Sequence, residues 1–298
     1  MSIAPESLEL KMALLDASLR SLGSGIVAFS GGADSALLLA AAVQALGASN
    51  VLAATSASDS LATGEFDEAS RFSESLGVTH TRVDTREIER PGYVANGPDR
   101  CYHCKDELLE VLTALASQQG FNVVMTGTNA DDQRSPHRPG LRAAHAHGVV
   151  TPLADAGFSK DDVRATSQLW NLPTWDKPQS ACLASRIAYG VTVDPERLAR
   201  IDRAEATVRQ ILAERGLDTR NLRVRDTGDQ AVIEVDSAWV GEVSQTPEVT
   251  AAVLAAGFDE VTVDPRGFRS GSLNDILRPS QRIPGSDARS SWDLPIVD

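Results

Sequence analysis

The chain has 298 residues and a formal net charge of −13, from 28 Lys and Arg against 41 Asp and Glu. That length exceeds one typical domain and can bury a substantial core, so two domains are expected. The acidic balance lacks the footprint of a nucleic-acid binder, no run of about 18 apolar residues reads as a membrane span, and no basic and apolar leader opens MSIAPESLELKMALL, so the chain reads as cytoplasmic.

Leu8, Met12, Leu15, Leu19 and Leu22 form the stripe of an N-terminal helix. Ile26, Val27, Ala28 and Phe29 are a continuous apolar run suited to a strand covered on both faces, and Ala36 to Leu39 open a helix that Gly47 stops. Val51 to Thr55 reads as a second strand, Gly64 to Leu76 as a helix, His80 to Val83 as a third strand, Lys105 to Gln118 as a helix and Asn122 to Thr126 as a further strand. This alternation predicts an α/β fold with a parallel, doubly wound sheet. The stretch from Gln133 to Val149, rich in Arg, His, Pro and Gly, reads as a mobile loop over the site, and Lys160 to Leu169 as a helix. Thr174 to Val193 has no clean period.

From Asp194 the pattern becomes α+β: a helix from Pro195 to about Gly216, strands from Asn221 to Thr227 and Gln230 to Asp236, a helix from Pro247 to Ala256 and a strand from Glu260 to Val263. The expected division is an α/β domain over residues 1–175, an active-site linker over 176–193, a smaller C-terminal α+β domain over 194–278 and a disordered tail over 279–298.

The most telling segment is Gly25 to Leu39, GIVAFSGGADSALLL, where a buried strand runs into a Ser-Gly-Gly-Ala-Asp-Ser turn and then a helix. Gly31 and Gly32 let backbone approach an anion, Ser30 and Ser35 offer hydroxyls, and the helix presents free amide groups. Neither G-x-x-x-x-G-K-[ST] nor G-x-G-x-x-G is present. Ligands of such sheets bind at the carboxyl ends of the strands, so the segments Ser30 to Ser35, Thr55 to Ser58 and Gly127 to Asp132 should converge on one crevice. Within the last, Asn129 and Asp132 either face the bound ligand or merely cap a helix.

Three cysteines, an odd and sparse set, argue against a secreted disulfide framework. Cys101 and Cys104 form Cys-Tyr-His-Cys, and Cys182 stands alone in QSACLASR. The pair alone also reads as a zinc half-site, a redox couple or plain buried thiols. Zinc normally takes four protein ligands, and no thioredoxin-like context surrounds the pair. Cations for an anionic substrate are sought locally: Ser185 and Arg186 follow Cys182 closely, Arg223 and Arg225 alternate on a strand whose face is either the substrate cleft or solvated, and Arg269 lies in GFRSGS, which resembles a second anion cradle. Glu205 and Asp236 are added because the substrate cleft should lie between the domains.

SGGADS resembles the pyrophosphate loop (PP-loop) of the ATP pyrophosphatases. With RCYHCK at 100–105, MTGTNADD at 125–132, TPLADAGFSKDDVR, ACLASRIAYG and GFRSGSLN, the chain resembles the LarE family over roughly residues 10 to 278. Those proteins are ATP-dependent pyridinium-3,5-biscarboxylic acid mononucleotide sulfurtransferases, which act in biosynthesis of the nickel-pincer nucleotide cofactor of lactate racemase. The resemblance implies a PP-loop domain, a substrate-binding C-terminal domain, and adenylation of a substrate carboxylate followed by sulfur attack that leaves a thiocarboxylate, with release of AMP and pyrophosphate.

It further implies ATP held by Ser30, Gly31, Gly32, Asp34, Ser35, Thr55, Gly127, Asn129 and Asp132, with Mg2+, and catalysis by Asp34 and Cys182. Substrate would be bound by Ser185, Arg186, Glu205, Arg223, Arg225, Asp236 and Arg269. One branch of the family sacrifices a single cysteine as sulfur source. The other uses three cysteines to hold a 4Fe-4S cluster with one iron open to sulfide, and the cysteine count here matches it, with Cys101, Cys104 and Cys182 as ligands. Ala181 or Cys182 occupies the place of the sacrificial residue. The implied partners are a small nucleotide substrate and sulfide or another sulfur donor, with no nucleic acid and no membrane, and the implied assembly is a homo-oligomer, a hexamer being one form. A PP-loop transfer-RNA thiolase shares the loop and a C-x-x-C site but needs a broad basic surface. A zinc-dependent nucleotide-binding module has no use for Cys182, and an amide-forming synthetase needs a glutaminase that no motif here supplies.

Overall fold

The computed structural model describes residues 5–134, 139–178, 181–269 and 272. The elements of the first part are α1 (Pro5–Leu22), β1 (Gly25–Ala28), α2 (Ala33–Leu46), β2 (Val51–Ser56), α3 (Glu65–Ser75), β3 (Thr79–Val83), α4 (Pro91–Val94), α5 (Arg100–Gln119), β4 (Val123–Thr126), α6 (Ala130–Arg134), α7 (Pro139–Ala146), α8 (Pro152–Asp155) and α9 (Lys160–Leu169). The remainder comprises α10 (Pro195–Glu214), β5 (Leu222–Asp226), β6 (Gln230–Val235), α11 (Val240–Ser244), α12 (Pro247–Ala255) and β7 (Glu260–Val263). None of the described helices is long and apolar enough to cross a membrane.

β1 to β4 form an all-parallel sheet in the order β3-β2-β1-β4. Alternation along β1 divides its side chains between two cores. Val27, with Phe29 just beyond the strand, joins Leu15 and Leu19 of α1, much of α2, and Phe158 and Val163 on one face. Ile26 joins Leu52, Ala54, Val124, and Leu109, Leu112 and Ala116 of α5 on the other. Both faces are therefore covered by helices, which is why β1, β2 and β4 are largely apolar, whereas β3 at the sheet edge, THTRV, is mostly polar. Because β1 is followed by β2 on one side and flanked by β4 on the other, the sheet's order switches direction between β1 and β4, and the loops leaving these two strands open onto that point.

The second sheet has the order β5-β6-β7, with β5 and β6 antiparallel and β6 and β7 parallel. Leu198, Ile201, Val208 and Leu212 of α10, with Val249 and Val253 of α12, cover it. This core also takes in Tyr93 of α4 and Leu183, Ala184 and Ile187.

Two elements differ from the sequence reading. The stretch expected to be a mobile loop after Gln133 contains α7, whose Ala143 and Ala144 are buried in the core beside α5; its Pro, Gly and His content masks an Ala-rich face. The helix expected from Lys105 starts at Arg100, so the C-x-x-C pair lies inside its first turns. The expected tail over 279–298 lies outside the described residues.

Candidate active site

The turn after β1 carries Ser30 to Ser35 into α2, whose N-cap, Gly32, makes no side-chain cap, so the first amides of the helix face the loop. Gly31 sits at φ +70, in the left-handed region that favours glycine. The hydroxyls of Ser30 and Ser35 are 3.0 Å apart, and Ser35 also donates to the Gly32 carbonyl at 3.1 Å. Asp34, in the first turn of α2, accepts from Asn129 Nδ2 at 3.1 Å and from the ammonium of Lys160. Lys177 reaches the loop from the irregular segment, donating to the Gly31 carbonyl at 3.2 Å and pairing with Glu68 at 2.9 Å.

Gly127 brings the β4 turn against this loop. A Cβ there would stand 2.7 Å from the Ser35 amide nitrogen and 2.9 Å from the Asp34 carbonyl carbon, both backbone. Asn129 and Asp132 cap each other, Asp132 N donating to Asn129 Oδ1 at 3.0 Å and Asn129 N to Asp132 Oδ2 at 3.3 Å, while the Asn129 carboxamide still reaches Asp34. Helix capping and contact with the phosphate loop are thus combined. Thr55 is buried behind the loop. Its hydroxyl donates to the Phe29 carbonyl at 2.7 Å and lies 2.8 Å from His80 Nε2, and burial lowers the pKa of that histidine.

Cys101 and Cys104 lie one helical turn apart at the start of α5, and Cys182 precedes a short 3-10 turn, Leu183–Arg186. All three are free thiols; Cys101 and Cys182 are exposed and Cys104 is half-buried. They share one electrostatic neighbourhood: burial pushes the Cys104 thiol well up, the nearby Cys182, Glu87 and Cys101 push the same way, and Arg100 opposes them. Among the described residues no group of three His, Cys, Asp or Glu is arranged to hold a metal ion. Cysteine thiolates are the soft donors that iron–sulfur clusters use, and Cys101 Sγ lies 3.9 Å from Nη2 of the buried Arg100 guanidinium.

Lys105 follows Cys104 in α5. Burial lowers its pKa, and it feels Cys104, Asp132 and Cys101 together.

The arginines form a buried layer beneath. Arg186 pairs bidentately with Glu205 at 2.9 and 3.1 Å and donates to the carbonyls of Cys182, at 3.0 Å, and Ala181. Glu205 also accepts from the Val224 amide at 3.0 Å. Arg225 pairs with Glu234 at 2.8 Å, donates to the Ser185 carbonyl at 3.1 Å and reaches Ser272 Oγ at 3.1 Å. Arg223 and Arg225 are each 7% exposed, which removes the solvated-face reading of this strand. Burial, with repulsion from Arg186, Arg225 and Arg209, brings the Arg223 pKa down to about 10, against the pull of Glu205. An anion placed here would relieve that repulsion. Asp236 accepts from Asn221 N at 3.0 Å and Asn221 Nδ2 at 2.6 Å, bracing the start of β5, and Arg269 lies 3.8 Å from Asp264.

Sequence reasoning missed Lys160, Lys177, Lys105 and Arg100 as site residues. Lys160 left one signal: it occupies the first turn of α9 after the Ser159 cap, where the helix dipole disfavours a cation. Such a placement calls for an acidic partner, which Asp34 supplies.

A parallel sheet with its phosphate loop at the switch point defines an α/β protein of the PP-loop type. The comparisons with known proteins are specific. The chain is 35% identical over 276 residues, 92% of its length and 98% of the relative's, to pyridinium-3,5-bisthiocarboxylic acid mononucleotide synthase from Lactiplantibacillus plantarum. It is 38% identical over 273 residues, 91% of its length and 99% of the relative's, to an uncharacterized protein of Synechocystis. It is also 30% identical over 177 residues, 59% of its length and 67% of the relative's, to an uncharacterized protein of Methanocaldococcus jannaschii. No family model matches the chain. On these relationships the chain belongs to the LarE family.

Proposed function

We propose that the chain is an ATP-dependent sulfurtransferase that converts a carboxylate of pyridinium-3,5-biscarboxylic acid mononucleotide into a thiocarboxylate, in biosynthesis of the nickel-pincer nucleotide. The near full-length relationship to a synthase of the bisthiocarboxylate supports the substrate class. The observation that carries the reaction is the glycine turn between β1 and α2 at the sheet's switch point, where Asp34 is held by Asn129 and Lys160 beside the free amides of α2.

In the first step a carboxylate oxygen of the substrate attacks the α-phosphorus of ATP; the bond to the β-phosphate oxygen breaks and pyrophosphate leaves. The α2 amides, Ser30 and Ser35 cradle the phosphates, and Lys177 adds a cation beside Gly31. Asp34 is the residue that would hold Mg2+, which when bound would neutralise charge on the leaving pyrophosphate, and Lys160 places a second cation beside Asp34. In the second step a sulfide sulfur attacks the acyl carbon, and AMP leaves with the C–O bonding pair. Cys101, Cys104 and Cys182 are the residues to hold a 4Fe-4S cluster, which when bound keeps one iron open to exogenous sulfide. In the buried layer Glu205 and Glu234 offset Arg186 and Arg225, and the three arginines against two carboxylates leave one net positive charge there for the nucleotide's phosphate or second carboxylate.

Protein purified anaerobically should be brown and contain about four irons per chain. Zinc or no metal, with sulfide-dependent activity intact, would remove the cluster. One observation favours the sacrificial alternative: the described side chains are not closed around a metal position, and Cys182 is exposed. In that case turnover removes one sulfur from the protein's own mass.

A further inference from the structure

We infer that Arg100 is the positioning residue of the three-cysteine site: its guanidinium ties the segment that follows Cys182 to the helix carrying Cys101 and Cys104 and contacts the Cys101 sulfur. The inference rests on the reading of the three cysteines as one ligand set.

Arg100 is 6% exposed. Its Nη1 donates to Asn96 Oδ1 and to the Ala184 carbonyl, both at 2.7 Å, and its Nη2 faces Cys101 Sγ. Among the described residues no carboxylate pairs with it, and a buried guanidinium is costly unless a counter-charge is near. Its sulfur contact is Cys101 Sγ, 3.9 Å from Nη2.

Asn96 extends the tie. It is fully buried at φ +51, a left-handed conformation that Asn tolerates better than most residues. Its Nδ2 donates to Ala188 O at 2.8 Å, Val191 O at 2.9 Å and Ile187 O at 3.3 Å. Arg100 and Asn96 together thus grip the chain from Ala184 to Val191, immediately after Cys182. Only a forked guanidinium spans Asn96, Ala184 and Cys101 at once; a lysine keeps the charge and loses the fork.

The test titrates Cd2+ into the full chain, reduced, metal-free and anaerobic, with the ultraviolet thiolate-to-cadmium charge-transfer band counting thiolates per ion. Wild type should show three thiolates per ion and Cys182→Ser two. Arg100→Met should fall to two and lose affinity about tenfold or more, and Arg100→Lys should recover part of both. A folded Arg100→Met variant with three thiolates at wild-type affinity would overturn the inference. Should thermal melts show that Arg100→Met does not fold, Arg100→Lys decides: weakened binding supports the fork, and wild-type count and affinity overturn it. A wild-type signal from Cys182→Ser would instead sink the three-cysteine ligand set itself.

Discussion

The Asn129 carboxamide donates to the Asp34 carboxylate across 3.1 Å, joining the end of β4 to the start of α2 at the point where the sheet changes direction. The acidic residue of the phosphate loop is therefore held from two sides, by Asn129 and by Lys160 from α9. Replacing Asp34 with Ala should lower pyrophosphate release on the order of a hundredfold or more, because the loop loses its metal-directed carboxylate and Lys160 loses its anchor. A pyrophosphate assay with the folded variant checks this; wild-type release would remove Asp34 from the reaction.

Gly127→Ala places a methyl group against backbone at the Asp34–Ser35 junction, where no flexible side chain can give way. It should destabilise the protein by about 1–3 kcal/mol and raise the KM for ATP. Chemical denaturation with parallel kinetics reads both effects, and unchanged values would show that the two loops do not touch.

Asp106 links three elements. It accepts from His147 at 2.8 Å and pairs with Arg90 at 2.6 Å, and Arg90 also holds Glu107 and Glu110 of α5. The His147 hydrogen bond, with Arg90, holds the Asp106 carboxyl below its ordinary range. A carboxylate depressed on folding contributes stability that is present above its unfolded pKa and lost as pH falls through the folded value. Melting curves should accordingly show Asp106→Asn less stable than wild type at neutral pH, the gap closing in acid below the usual carboxylate range. A gap independent of pH would contradict this linkage.

The strand Ile26 to Phe29 and its phosphate turn were legible because a continuous apolar run and a Gly-Gly pair between serines are local signals. The same holds for Leu198, Ile201, Val208 and Leu212, which repeat at helical spacing along α10. The partners of the site were not legible. Lys160 meets Asp34 across 126 residues and Arg100 meets Ala184 across 84, and nothing in the intervening chain announces either contact. Arg186, expected from its place just after Cys182 to bind substrate, also engages Glu205 and the Cys182 carbonyl, contacts that its position in the sequence does not announce. Side-chain chemistry names the candidates, and only the fold decides which face a ligand and which hold those that do.

Replacing Cys182 with Ala should separate the two half-reactions. The phosphate loop contains no sulfur ligand, so the variant should still form AMP-activated substrate and pyrophosphate while thiocarboxylate formation stops. Loss of both half-reactions would place Cys182 in activation.

The central claim is sulfur transfer driven by cleavage of ATP between its α- and β-phosphates. Its most direct test incubates the anaerobic protein with ATP, Mg2+, sulfide and pyridinium-3,5-biscarboxylic acid mononucleotide, then follows products by mass spectrometry. The account predicts AMP and pyrophosphate in step with a product in which sulfur has replaced a carboxylate oxygen. Formation of ADP and phosphate, or thiolation of transfer RNA with the dicarboxylate mononucleotide untouched, would contradict it.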